Sequence, residues 1–274
     1  MISIKNLNFS YDKKKVLNKL DLNLKKGNIY GLLGRNGAGK TTLLKLISGE
    51  LFQQKGSMQV MSHNPANRTP SFLSDIFYIP EEFSLPAMTI QHYVKLTSPF
   101  YPGFNEIRFE KNLREFELSR KGEKLSKMSY GQKKKFLLAF GLAAGTSLLL
   151  LDEPTNGLDI PSKTQFRRTV ASALGENQIF LISTHQVRDM ENLIDPLIII
   201  NDGEICLNAS LEQISQEYVM EQIPKGDIPP EALYCESVPG AQIIIRRRLP
   251  GDEESAMDME ILFNFIISTR GLNR

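Results

Sequence analysis

The chain has 274 residues, of which 41% are hydrophobic and 23% charged, and its formal net charge is +2. That length and composition fit a soluble fold with one large domain, or one plus a small appendage. They give no electrostatic case for nucleic acid as a partner, and no apolar run approaches the ~18 residues that a membrane-spanning helix needs. Two cysteines, Cys206 and Cys235, suggest no disulfide framework, and the first residues lack a signal peptide's basic region and apolar core. A reducing, cytoplasmic setting is therefore expected.

In chain order, residues 2–9 and 16–24 alternate apolar and polar positions and predict two strands. The lysines Lys13-Lys14-Lys15 between them read as a solvated face, as do Lys133-Lys134-Lys135 and Arg246-Arg247-Arg248. Lys25-Lys26-Gly27-Asn28 is a turn signal. It leads into the apolar run 29–33 and then into Gly34-Arg35-Asn36-Gly37-Ala38-Gly39-Lys40-Thr41, a complete G-x-x-x-x-G-K-[ST] loop followed by a helical run over 42–47. The glycines let the backbone curl with its N–H groups inward, and these donors together with a helix N-terminus favour a phosphate. Lys40 adds charge at the β- and γ-phosphates, and the Thr41 hydroxyl is a Mg²⁺ ligand. The alternative is a glycine-rich turn that merely leads into a helix.

Residues 58–61 predict another short strand. From about 82 to 145 the chain is rich in Phe, Tyr and Leu at helical spacing and is broken by Pro86, Pro99 and Pro102, which predicts a helical insert. Ser129-Tyr130-Gly131-Gln132 reads locally as a capping box opening a helix. Four leucines over 148–151 end at Asp152-Glu153-Pro154, the pattern of a strand buried on both faces of a parallel sheet. An acid at that place holds Mg²⁺ in phosphate-loop nucleoside triphosphatases, and the acid beside it can polarise an attacking water. Residues 179–182 form a like strand that ends at Ser183-Thr184-His185. A hairpin is expected over 197–207 around Asn201-Asp202-Gly203. Beyond Gln222, Pro224, Gly226, Pro229 and Pro230 suggest a linker, then a strand over 241–247 and a helix over 257–267.

Taken together and in order, the loop 34–41, Met128-Ser129-Tyr130-Gly131-Gln132, the run 148–153, Asn156-Gly157-Leu158-Asp159 and His185 resemble the Walker A, signature, Walker B, D-loop and H-loop elements of an ABC ATPase subunit. The resemblance covers roughly residues 1–215. It implies an α/β P-loop NTPase (RecA-like) core with an antiparallel β subdomain and a helical subdomain at about 82–145, together making a cassette over 1–221. A small C-terminal α+β extension over 222–274 follows.

The resemblance also implies roles. Tyr11 on the first hairpin stacks on adenine. Gly34, Asn36, Gly37, Ala38, Gly39, Lys40, Thr41 and Thr42 hold the phosphates of ATP. Thr41 and Asp152 hold Mg²⁺, Glu153 orients water, and His185 contacts the γ-phosphate. Ser129, Gly131, Gln132 and Asp159 face ATP on a second ATPase subunit, either another copy or a paralogue. Two positions depart from the family pattern. Tyr130 stands where glycine is common in the signature, and Glu81, after Tyr78-Ile79-Pro80, stands where the Q-loop has glutamine. Glu81 can still reach Mg²⁺ but adds negative charge.

The implied function is ATP hydrolysis for an integral-membrane transporter subunit, on the inner face of the cell membrane. The tail helix resembles that of drug, polysaccharide and lipid exporter ATPases. A soluble ABC ATPase acting on nucleic acid or ribosomes is the alternative; the short interval without sustained heptads and the single cassette speak against it. The insert's aromatic residues include Phe83, which the resemblance places beside a groove for a helix of the membrane subunit.

Overall fold

Three sheets organise the computed structural model, which describes residues 1–122 and 124–269. The N-terminal strands β1 (Ile2–Tyr11) and β2 (Lys14–Leu24) form a hairpin. Then β3 (Asn28–Leu33) leads into helix α1 (Lys40–Ile47), and β4 (Lys55–Val60) returns to pair with β1, giving an antiparallel sheet in the order β2-β1-β4. A single helical turn, α2 (Pro70–Leu73), precedes β5 (Ile76–Ile79). The helical insert consists of α3 (Ile90–Thr97), α4 (Glu106–Glu115) and α5 (Tyr130–Ala143). The second half alternates β6 (Leu148–Asp152), α6 (Ile160–Ala171) and β7 (Ile179–Thr184), then closes with the hairpin β8 (Leu197–Asn201) and β9 (Glu204–Ala209).

The central sheet has the order β5-β6-β7-β3-β8-β9, parallel except for β9. Its middle strands are buried on both faces, and the four leucines of β6 divide between them. Leu148 and Leu150 pack with Leu43, Leu46 and the N-terminal sheet, whereas Leu149 and Leu151 pack with Phe136, Leu138 and Phe140 of α5. Period-two alternation in a strand covered on both sides thus explains a run that a half-exposed strand could not tolerate. Helix α5 lies so close to β5 that a Cβ on Gly141 would sit 2.7 Å from the Phe77 ring. In the insert, Phe109, Phe116, Phe136 and Phe140 are buried, Tyr93, Tyr101 and Phe104 lie at the cluster's margin, and Phe100 is exposed.

Past β9, α7 (Leu211–Glu217) leads into β10 (Tyr218–Pro224), β11 (Ala232–Val238), β12 (Ala241–Arg247) and α8 (Met259–Ser268). The sheet order is β10-β12-β11, antiparallel throughout. Where the sequence suggested a linker after Gln222, two strands flank β12 instead; Pro224 closes β10, and Pro229 and Pro230 precede β11, at strand ends where a missing N–H costs little. Arg246 is not a solvated residue. It pairs with Glu221 and, at 2.6 Å, with Asp252, tying β12 to β10 and the following loop. Helix α8 buries Met259, Ile261, Leu262, Phe265 and Ile266 in the same core as Met190, Leu197, Ile199 and Leu207.

Candidate functional site

Strand β3 delivers the chain into the turn that opens α1. Gly34 lies against β8, where a Cβ would stand 2.6 Å from the Ile200 carbonyl oxygen, and Gly39 has a φ of +109°, which favours glycine. Gly39 is also the N-cap of α1, so no side chain caps this helix, and no acidic residue occupies its first turn. The seven other α-helices of the described residues each have a capping side chain: Thr69, Thr89, Asn105, Ser129, Asp159, Ser210 and Asp258. The first N–H groups of α1 therefore remain for an outside acceptor, and the helix dipole favours an anion there.

Lys40 is buried, and its Nζ donates to the carbonyl oxygens of Gly34 at 2.8 Å and Arg35 at 3.3 Å. It lies 3.7 Å from Glu153 Oε1. Burial lowers the Lys40 ammonium pKa from its ordinary value, while Glu153 and Asp152 oppose the shift. The turn opens onto a cavity of about 370 Å³ lined by Tyr11, Asn36, Gly37, Gly39, Lys40, Thr41, Thr42, Glu81 and Glu153. Tyr11 is exposed at its mouth, with Phe9 edge-on to its ring at 4.9 Å. Gly34 and Ala38 are buried behind the lining. A larger groove of about 560 Å³ along β9 and α7 has the charged lining Lys19, Asp21, Glu204 and Glu217. Three carboxylates against one lysine, without a glycine-rich turn, make it a poor receptor for phosphate.

Asp152 is fully buried at the end of β6, where it accepts hydrogen bonds from Ser183 Oγ and from the Tyr78 hydroxyl, the latter at 3.4 Å. Burial and the Asp152 charge both raise the Tyr78 phenol pKa. Glu153 is buried too. His185 Nδ1 lies 2.8 Å from its Oε1, and the Thr184 hydroxyl donates to Oε2 at 3.2 Å. Its backbone has a φ of +45°, a left-handed conformation that costs a non-glycine residue on the order of 1–3 kcal/mol. Glu81 lines the same cavity, and its Oε1 accepts from Asn156 Nδ2 at 2.8 Å.

Ser129, Gly131, Gln132 and Asp159 are not in the cavity lining. Ser129 and Gln132 form the expected reciprocal capping box at the start of α5, with Gln132 N–H donating to Ser129 Oγ at 3.2 Å and Ser129 N–H donating to Gln132 Oε1 at 2.9 Å. Both are exposed, as is Asp159, the cap of α6. The Ser162 hydrogen bonds hold the Asp159 carboxyl below its ordinary range.

The sequence reading of Lys133-Lys134-Lys135 as a solvated face fails at Lys134, which is fully buried. Its Nζ donates to the carbonyl oxygens of Glu153 at 2.7 Å and Asn156 at 3.0 Å. The signal was present: Lys134 precedes Leu137, Leu138 and Gly141 at helical spacing, on the inward face of α5. Asn156 was also missed as a residue with its own contacts; no local pattern announces a bond to Glu81 across 75 positions.

Residues 17–156 match the model of the ABC transporter family. The lantibiotic transport ATP-binding protein SrtF of Streptococcus pyogenes is 30% identical over 208 residues, which are 76% of this chain and 90% of that protein. The SkfA peptide export ATP-binding protein SkfE of Bacillus subtilis is 28% identical over 222 residues, 79% of this chain and 92% of that protein. A solved ATP-binding subunit of an ABC transporter superposes with a TM-score of 0.71 at 26% identity, covering 78% of this chain and 91% of the other. With its uncapped, glycine-rich helix N-terminus facing a buried glutamate, the chain belongs to the ABC transporter family, as an ATP-binding ATPase subunit.

Proposed function

We propose that two copies of this chain clamp two ATP molecules between them and drive a membrane-embedded exporter. The observation that supports this reading is the separation of two helix N-termini. That of α1 opens into the cavity that holds Glu153, whereas Ser129, Gly131, Gln132 and Asp159 lie outside it on exposed ends of α5 and α6. Because one chain carries both halves of the site, a two-fold pair of copies completes both sites at once.

In this reading Tyr11 stacks on the adenine, and the loop from Gly34 to Thr42, including Asn36, Gly37, Ala38 and Gly39, surrounds the phosphates with backbone N–H groups. Lys40 exchanges its loop carbonyls for phosphate oxygens. Ser129, Gly131 and Gln132 reach the γ-phosphate held by the other copy, and Asp159 lies across the same interface. Glu153 orients a water for in-line attack on the γ-phosphorus; the bond to the β,γ-bridging oxygen breaks, and ADP and inorganic phosphate leave. His185 and Thr184, hydrogen-bonded to the two Glu153 oxygens, keep that carboxylate aimed.

Among the described residues no three His, Cys, Asp or Glu side chains converge as a cation cage. Mg²⁺ needs none, being held by one or two carboxylates with phosphate oxygens and waters. The Thr41 hydroxyl, the Asp152 carboxylate and Glu81 supply such a donor set. When bound, the ion offsets negative charge on the phosphates.

No helix of the described residues is long and apolar enough to cross a membrane. In this reading a separate integral-membrane subunit carries the cargo, and this chain works against it at the inner face of the cell membrane. The export reading draws on the likeness to the lantibiotic transport and peptide export proteins. Phe83, half-buried against the core and stacked on Tyr130 at the start of α5, is the residue we assign to the contact with that subunit. The division into a cassette and a C-terminal extension belongs to the same proposal, with the boundary moved from 221/222 to before β10, which pairs with β12 along its whole length from Tyr218 to Pro224; residues 270–274 lie outside the described residues.

Replacing Glu153 with Gln tests the reading. Turnover falls by ~10²-fold or more, as expected for losing a general base, while ATP binding persists and ATP accumulates a stable dimer in size-exclusion chromatography. Full hydrolysis by Glu153→Gln would contradict it.

A further inference from the structure

A buried lysine near the start of α5 points to a link between the signature helix and the hydrolytic glutamate of the same chain. Glu153 has a φ of +45° and so needs its surroundings to hold it in place. Its N–H is fixed from β7 by the Ser183 carbonyl at 3.0 Å. On the other side, its carbonyl oxygen is held by Lys134 Nζ at 2.7 Å. The same ammonium holds the Asn156 carbonyl at 3.0 Å, so two bonds from one atom reinforce a turn that the Asn156 N–H closes on the Glu153 carbonyl at 3.2 Å.

The lysine is kept there by Tyr130, whose ring centroid lies 5.2 Å from Nζ. A cation over an aromatic face is attracted by the ring quadrupole; here the lysine is fully buried, whereas the tyrosine stays exposed. The Tyr130 ring is itself fixed. It stacks on Phe83 at 5.3 Å, its hydroxyl donates to the Glu81 carbonyl, and it fills the space in front of Gly157, where a Cβ would stand 2.9 Å from Tyr130 Cδ1. The tyrosine that departs from the common signature glycine thus covers the ammonium.

We infer that Lys134 is a positioning residue for hydrolysis: it holds the strained Glu153 backbone, and the turn through Asn156, in the geometry that aims the Glu153 carboxylate. The inference rests on the water-orienting role of Glu153 proposed above. It further means that displacement of α5, when its N-terminus engages nucleotide on the other copy, is transmitted to this chain's own glutamate by a pair of hydrogen bonds.

Three variants test it in the full-length protein. Lys134→Met keeps the bulk and loses the donors; kcat falls about 10–100-fold, as misplacing a reacting group by ~1 Å does, while KM for ATP stays within about threefold. Lys134→Gln restores an amide with two N–H groups on a stem one bond shorter and recovers most of the lost kcat. Lys134→Asn carries the same amide too far back to reach and behaves as Lys134→Met. Should the methionine variant fail to fold, the Gln–Asn pair still decides the matter. Wild-type kcat in Lys134→Met or Lys134→Asn, equal losses in Gln and Asn, or a loss confined to KM would each overturn the inference. An inert Glu153→Gln beside a fully active Lys134→Asn sinks this inference alone, whereas a fully active Glu153→Gln removes the role of Glu153 and this inference with it.

Discussion

The N-termini of α1 and α5 are built from opposite logic. Helix α1 begins at a glycine with no capping side chain and no first-turn acid, and its free N–H groups face a cavity lined with Lys40, Glu81 and Glu153. Helix α5 begins with a complete capping box, is exposed to solvent at that end and turns none of Ser129, Gly131 and Gln132 into that cavity. In our reading the first is a phosphate receptor that is finished within the chain. The second is stable by itself because Ser129 and Gln132 satisfy its end groups, and in our reading it finds its phosphate on another copy. In that reading binding and hydrolysis are divided between these helix ends: one holds the nucleotide, and the other permits its cleavage.

The strongest effects come from breaking each helix end separately. Lys40→Met removes the charge at the phosphates, and turnover falls about 10²–10³-fold, the usual cost of losing one preorganised electrostatic group. Nucleotide affinity, measured by equilibrium binding to the monomer, falls with it. Ser129→Asp replaces one good N-cap with another, so α5 keeps its end while a carboxylate confronts any approaching γ-phosphate. Turnover falls comparably, but ATP binds the monomer as in the wild type. If Ser129→Asp weakens monomer binding as Lys40→Met does, α1 and α5 do not divide the work in this way.

A smaller effect sharpens the contrast at the foot of α5. Burial pulls the Lys134 ammonium down to about 8, despite the nearby charges of Glu81, Glu153 and Asp152. Its ordinary value is 10.5, so between the two the unfolded chain retains a proton that the folded chain has released. Folding stability then rises with pH in that window. Relative to Lys134→Gln, which does not titrate, wild-type stability is flat below about pH 8 and climbs from there toward pH 10.5. Urea midpoints of the two proteins across that range measure it; parallel curves would show that folding leaves the lysine's pKa unshifted.

How much of this was legible in the sequence follows from how local each cause is. The loop from Gly34 to Thr41 was readable because glycine, lysine and threonine must stand at fixed spacing for one turn to hold phosphate. The four leucines of β6 and the Ser129–Gln132 box were readable for the same reason, since each is decided by neighbours in the chain. Lys134 was not, because a lysine between two lysines looks solvated unless its place on the inward stripe of α5 is weighed. Tyr130 read only as a departure at a position where glycine is common; its contacts to Glu81 and Phe83 join segments that lie 49 and 47 positions away in the chain. Strands β10 and β11 were hidden by prolines, which mark strand ends here as readily as they mark a linker.

In our reading each site is completed by the α5 N-terminus of a second copy, and mixing two inactive proteins is the decisive experiment. Lys40→Met has no working phosphate loop but an intact α5 N-terminus; Ser129→Asp has the reverse. Neither hydrolyses ATP appreciably alone. In a mixed dimer, the loop of the Ser129→Asp subunit meets the intact α5 N-terminus of the Lys40→Met subunit, which rebuilds one complete site. Steady-state ATP hydrolysis should therefore rise in the mixture well above the average of the two separate proteins and vary with their ratio, peaking near equal amounts. Activity equal to that average at every ratio, under conditions where the subunits are shown to exchange, would refute completion of the site by a second copy.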